Sequence, residues 1–155
     1  MKQGQIAVTD LFIAIAIFVA LIISITLLWA TYDKRVDERV DYNTMQMKAL
    51  QITDLLTKTP GIPNGWEKNP ENVVVIGLAY IDRNISTDKA DAFIALDYDI
   101  IRDLFKIKSY NFYFEIKGTT VAKGNKPANE KKAVSLKNNI IYAGQNEVLN
   151  FILWV

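Results

Sequence analysis

The chain has 155 residues, a length for one domain, and its 18 basic and 17 acidic side chains leave a formal net charge of +1, which excludes a strongly basic nucleic-acid binder. It contains no cysteine and no histidine, so disulfides, thiolate metal sites, cysteine nucleophiles and imidazole acid/base chemistry are all excluded. The apolar half of the composition is unevenly placed: 23 of the first 32 residues are apolar, against 55 of the remaining 123.

The first element is an apolar run, 11–32, of 22 residues without a formal charge, 13 of them Ile, Leu, Val or Phe. As a helix at about 1.5 Å per residue it measures roughly 33 Å, against a bilayer hydrocarbon core of about 30 Å. Ser24, Thr26 and Thr31 are compatible with this, because a hydroxyl can bond a carbonyl one turn back. Trp29 and Tyr32 fall where an interfacial aromatic belt would lie. A secretory signal peptide has a shorter apolar region and a small-residue cleavage site, which is missing here before Asp33. A soluble core helix needs one apolar face, and this run is apolar all round. Lys34, Arg35 and Arg39 outnumber Lys2 across the run, so a bare positive-inside count would keep the later residues in the cytoplasm.

No glycine or proline occurs between Gly4 and Pro60, which permits one helix through Lys58. Its second half carries two apolar stripes, Val36, Val40, Met47 and Leu50 on one side and Met45, Ala49, Ile52 and Leu56 on nearly the opposite side. One stripe suffices for packing on a sheet. The other is covered either by a neighbouring subunit or by the same domain and its loops. Asp33, Asp37 and Asp41 recur along one face with Arg35 and Arg39 on the other, rows that either meet opposite charges elsewhere or face solvent.

After the turn-rich segment Thr59 to Trp66, the β-branched run 73–81 predicts a strand buried on both faces. The stretch Asp82 to Asp91 is polar and reads as a connection. Apolar spacing then predicts a short helix within 96–107 with Asp97 as N-cap. Alternation from Tyr110 to Lys117 predicts a half-buried strand with Tyr110, Phe112, Phe114 and Ile116 inward. Residues 118–132 read as an exposed loop, followed by strands at 133–143 and 147–155 joined by a turn at 144–146. The expected fold is α+β, a long N-terminal helix packed on a mainly antiparallel sheet domain.

Equipment for chemistry is sparse. Asp97, Asp99 and Asp103 could present oxygens to a divalent cation, but capping and solvated charge explain them as well. No phosphate-binding glycine loop occurs, and the four serines have no histidine partner, leaving only a Ser/Lys pair. The loop lysines Lys123, Lys126, Lys131 and Lys132 lack the interleaved aromatics of a nucleic-acid surface. The chain therefore reads as a non-enzyme with no catalytic, cofactor or metal residues. Asn84-Ile85-Ser86 is the single N-x-[ST] sequon and makes Asn84 the candidate for N-glycosylation.

The start Met1-Lys-Gln-Gly-Gln5, running straight into the apolar helix, resembles the class III signal peptide of prepilins. The later order is also similar to archaeal type IV pilin-like proteins: Gly61-Ile-Pro-x-x-Trp66, a Val-rich stretch ending Ile76-Gly-Leu78, Tyr110-Asn-Phe-Tyr113 and a closing apolar strand with Trp154. The resemblance implies a leader at 1–4, cut by a prepilin peptidase between Gly4 and Gln5. It further implies a helix over 5–58 whose part 11–32 is transmembrane or filament core, and an extracytoplasmic head at 59–155. Where many pilins carry a glutamate that pairs with a neighbour's amine, this chain has Thr9, which leaves Asp10 as the candidate for subunit pairing. The implied function is a structural subunit, major or minor, of a surface filament used in adhesion. Its expected partners are other pilin subunits, the peptidase and, before assembly, membrane lipid, with no nucleic acid. The alternative is a single-pass, membrane-anchored extracytoplasmic binding or envelope-complex domain that does not polymerise.

Overall fold

The computed structural model describes residues 2–128 and 132–155, with their side chains apart from those of residues 2–9 and 33–40. The chain divides into two units, Met1–Tyr42 and Asn43–Val155. Helix α1 (Lys2–Lys58) supplies all of the described part of the first unit and the opening sixteen residues, 43–58, of the second.

The second unit is an α+β domain built on a six-stranded sheet with strands β1 (Ala79–Ile81), β2 (Asn84–Ile85), β3 (Asn111–Ile116), β4 (Ala122–Gly124), β5 (Ala133–Tyr142) and β6 (Gln145–Trp154). Their order across the sheet is β1-β2-β5-β6-β3-β4. All neighbouring strands are antiparallel except β2 and β5, where Asn84 lies beside Ile141 and Ile85 beside Tyr142. The long hairpin β5–β6 turns at Ala143 and Gly144, both with positive φ (50° and 79°), the mirror-image turn whose twist suits a two-residue connection. The turn is therefore tighter than the one expected at 144–146.

One face of the sheet is apolar and covered by helices. Phe112, Phe114 and Ile116 of β3, with Leu149, Phe151 and Leu153 of β6, form a single core with Met45, Ala49, Ile52 and Leu56 of α1. Period-two and period-3.6 patterns thus meet face to face, as the sequence spacing requires. Two further helices close this layer, α2 (Thr87–Ala95) and α3 (Tyr98–Leu104). Phe93 of α2 meets Phe114 edge-on at 5.0 Å between ring centroids, and Phe105, just past α3, meets Phe112 at 6.2 Å. Asp97 caps α3 as expected, its carboxylate accepting from the Asp99 and Ile100 amides.

Several connections differ from the sequence expectations. Residues 73–78 form no regular strand, and only Val75 pairs with Ile62. Their backbone is consumed otherwise: the Leu78 and Ala79 amides donate to the carbonyls of Leu56 and Thr59 at the end of α1, and Val74 donates to Ile62. The polar stretch 82–91 contains β2 and most of α2, which begins at the N-cap Ser86. The loop 118–132 contains β4, which pairs with β3, and Val121 is buried. Lys123 is drawn inward, where its ammonium donates to the carbonyl of Ile94 at 2.7 Å and to that of Leu96, closing the C-terminus of α2.

Trp66 fixes the turn after α1. It is fully buried, and its indole N–H donates to the Gly77 carbonyl at 2.9 Å. A Cβ on Gly61 would lie 2.6 Å from the indole ring, and one on Gly77 would lie 2.3 Å from the Thr59 carbonyl oxygen. Only glycine fits at either position. Lys89 is buried nearby and donates to the Pro60 carbonyl at 2.7 Å and to that of Ala79 at 3.4 Å. Burial pulls its ammonium below the ordinary lysine value, opposed by the charge of Glu67.

The other face of the sheet is polar but not bare, since Tyr113 and Asn150 are buried there. The strand β3 is therefore covered on both faces at its centre, beyond the half-buried expectation. Glu115 accepts from the Asn150 amide at 2.9 Å and from the Tyr113 hydroxyl at 2.8 Å, and Lys126 lies 3.4 Å away. The Asn150 bond, followed by those of Tyr113 and Lys126, holds the Glu115 carboxyl below its ordinary value against the opposing effect of burial. A depressed carboxylate stabilises the fold above its unfolded value of about 4.3, and that contribution disappears as pH falls through the lower folded value. Glu115→Gln is expected to flatten this acid-side slope, read as urea midpoints of both proteins between pH 6 and pH 3. An unchanged slope would remove Glu115 from the account.

Candidate functional site

The stretch Asp10–Tyr32 is a 23-residue helical segment long and apolar enough to cross a membrane, and none of its most apolar window is buried. At about 1.5 Å per residue it is roughly 35 Å long, close to the bilayer core of about 30 Å. Its hydroxyls are satisfied within the helix: Ser24 donates to Ala20 at 2.8 Å, Thr26 to Ile23 at 2.8 Å and Thr31 to Leu27 at 2.9 Å. Such back-bonding lets a polar side chain sit in an apolar medium without an orphaned group. Trp29 and Tyr32, both exposed, mark the C-terminal end of the segment.

In the second unit the two stripes of α1 part company. Met45, Ala49, Ile52 and Leu56 lie in the core, whereas Met47 and Leu50 are 56% and 48% exposed. The second stripe is thus not covered by its own domain at these positions, while Val36 and Val40 lie outside the described side chains. The same holds for Asp33, Asp37, Arg35 and Arg39 of the charge rows.

The site residues read from the sequence are scattered rather than gathered. Gly4 and Gln5 lie in the backbone of α1, their surroundings outside the described side chains. Asp10 opens the apolar segment and is exposed. Asn84 begins β2. The carboxylates considered for a cation are each engaged: Asp97 caps α3, Asp99 pairs with Arg102 at 3.0 Å and Asp103 pairs with Lys108 at 3.1 Å. Among the described residues no group of three carboxylates is placed to hold a metal ion. Two of the four loop lysines are tied internally, Lys123 to carbonyls and Lys126 to Glu115. The inward roles of Lys89 and Lys123 carry no local sequence signal, because their acceptors come from other segments. No protein-family model, no curated protein and no solved structure matches the chain.

Proposed function

We propose that the chain is a structural subunit, major or minor, of an archaeal type IV pilus-like surface filament. In this reading Asp10–Tyr32 rests in the membrane with the second unit outside the cell, and after removal of residues 1–4 it packs with the equivalent segments of other subunits. The observation that carries the reading is a 23-residue apolar helix with none of its most apolar window buried, which requires apolar surroundings from elsewhere. Lipid and a bundle of like helices both provide them, so leaving the bilayer changes little hydrophobic free energy and helix packing drives assembly. Contacts between unlike faces that do not close on themselves then propagate as a filament. The exposed Met47 and Leu50 supply a further apolar contact for a neighbour.

Mass spectrometry of the native N-terminus tests the reading. A chain beginning at Gln5 is expected; an intact Met1, or a cut beyond residue 30, would defeat it. Filaments sheared from cells should contain the protein. Retention as a membrane monomer would favour the non-polymerising anchored domain, which the match of helix length to a single bilayer crossing also supports.

Met47→Glu with Leu50→Lys tests the stripe. Both side chains are exposed, so stability should change by no more than about 0.5 kcal/mol. The amount of protein recovered in sheared filaments should fall at least about tenfold, the equivalent of about 1.4 kcal/mol of contact. Unchanged recovery would show that this stripe contacts no neighbour.

A further inference from the structure

The sequon lies at a defined place in the sheet. Asn84 pairs with Ile81 of β1 on one side and with Ile141 of β5 on the other, and paired residues share a face. That face is the open one: Ile81 and Ile141 are 62% and 42% exposed, while Ile85, the next residue, points into the core. Asn84 is itself half-buried; its side-chain amide makes no hydrogen bond among the described residues and is not among the fully buried side-chain atoms lacking a partner, so its polar end is not fully enclosed. Ser86, the third sequon position, is half-buried, and its hydroxyl accepts only a long 3.5 Å bond from the Lys89 amide as the cap of α2. An unpaired amide thus emerges between two exposed isoleucines, in the one sequon of the chain.

We infer that Asn84 is N-glycosylated and that the first sugar lies with its apolar face over Ile81 and Ile141. The inference rests on the second unit being outside the cell. The donor class is a lipid-phosphate-linked oligosaccharide. The Asn84 Nδ2 forms a bond to the anomeric carbon, the bond from that carbon to the phosphate oxygen breaks, the lipid phosphate leaves with the electron pair, and the amide proton passes to a base of the transferase. The attached sugar covers apolar surface that no segment of the domain covers.

The test is mass spectrometry of the tryptic peptide 84–89 from protein purified from the cells that make it. The peptide should carry a glycan mass on Asn84. Asn84→Gln and Ser86→Asp should abolish the mass, while Ser86→Thr should keep it. Aspartate and threonine both preserve the helix cap, so a loss in Ser86→Asp that Ser86→Thr does not share reflects the sequon and not the fold. A bare Asn84 overturns the proposal, as does a glycan that persists in Asn84→Gln. Labelling of exposed Lys137 on intact cells by a membrane-impermeant amine reagent separates the two readings. If Lys137 is labelled and Asn84 is bare, glycosylation alone fails; if both are untouched, the outward placement fails with it.

Discussion

Trp66→Ala is expected to lower the thermal midpoint of the second unit by about 15 °C or more, followed by near-ultraviolet circular dichroism in detergent. Removing a fully buried tryptophan costs about 3–5 kcal/mol, from lost burial and from the cavity that remains. The Gly77 carbonyl also loses its donor, which adds about 1–3 kcal/mol if water cannot reach it. For a domain of this size each kcal/mol shifts the midpoint by about 4 °C, and total stability is about 5–15 kcal/mol. The ring also holds the turn after α1 against residues 75–77, so the cavity opens where three segments converge. Trp66→Phe keeps much of the apolar area and loses the donor, and should fall between the two. A midpoint for Trp66→Ala within about 3 °C of the unaltered protein would show that this turn does not hold the domain together.

Leu21→Arg with Ile22→Asp is expected to release the chain from membranes into the fraction extracted by alkaline carbonate. Both positions sit at the middle of Asp10–Tyr32 and both side chains are exposed to whatever surrounds the segment. A charged residue at the centre of a membrane helix costs about 2.5–3.5 kcal/mol, so the pair costs about 5–7 kcal/mol. Neighbours in sequence do not face each other on a helix, so the two charges cannot offset this by pairing. The shift amounts to about 10⁴-fold in partitioning. Asn43→Arg with Thr44→Asp, placed on exposed positions of the second unit, should leave the distribution unchanged. Continued resistance of the doubly charged chain to extraction would mean that the segment is not in lipid.

The sequence revealed those elements whose cause is local. The apolar run is a matter of length and composition, and the spacing of Met45, Ala49, Ile52 and Leu56 or of Phe112, Phe114 and Ile116 records a buried face directly. Asp97 was legible as a cap because an N-cap acts on the two or three residues after it. The run 73–78 was misread for a physical reason: β-branched residues favour extended backbone, but a strand exists only where a partner strand accepts its hydrogen bonds. Here the amides of Leu78 and Ala79 go to the end of α1. Helix α2 was hidden because only Ala90 and Phe93 of its apolar residues are fully buried, too few for a visible period. At the candidate site, two stripes could be read from spacing, but which one the domain covers depends on the sheet and could not. Lys123 resembled a solvated loop charge because its carbonyl partners lie 29 and 27 residues away.

Strand β6 pairs with β5 along its whole length and, from Leu149 to Trp154, with β3 on its other side. Residues 145–154 thus lie in the middle of the sheet although they come after all its other strands in the chain. Until they emerge, β3 has only the three-residue β4 beside it and β5 only the two-residue β2, neither enough to hold a sheet. The ribosome, adding about 5–20 residues per second, therefore delivers these earlier strands as an open chain until β6 follows them. A domain closed by the last of its strands stays open while the earlier ones are made, and it acquires its shape only when that strand inserts between β5 and β3.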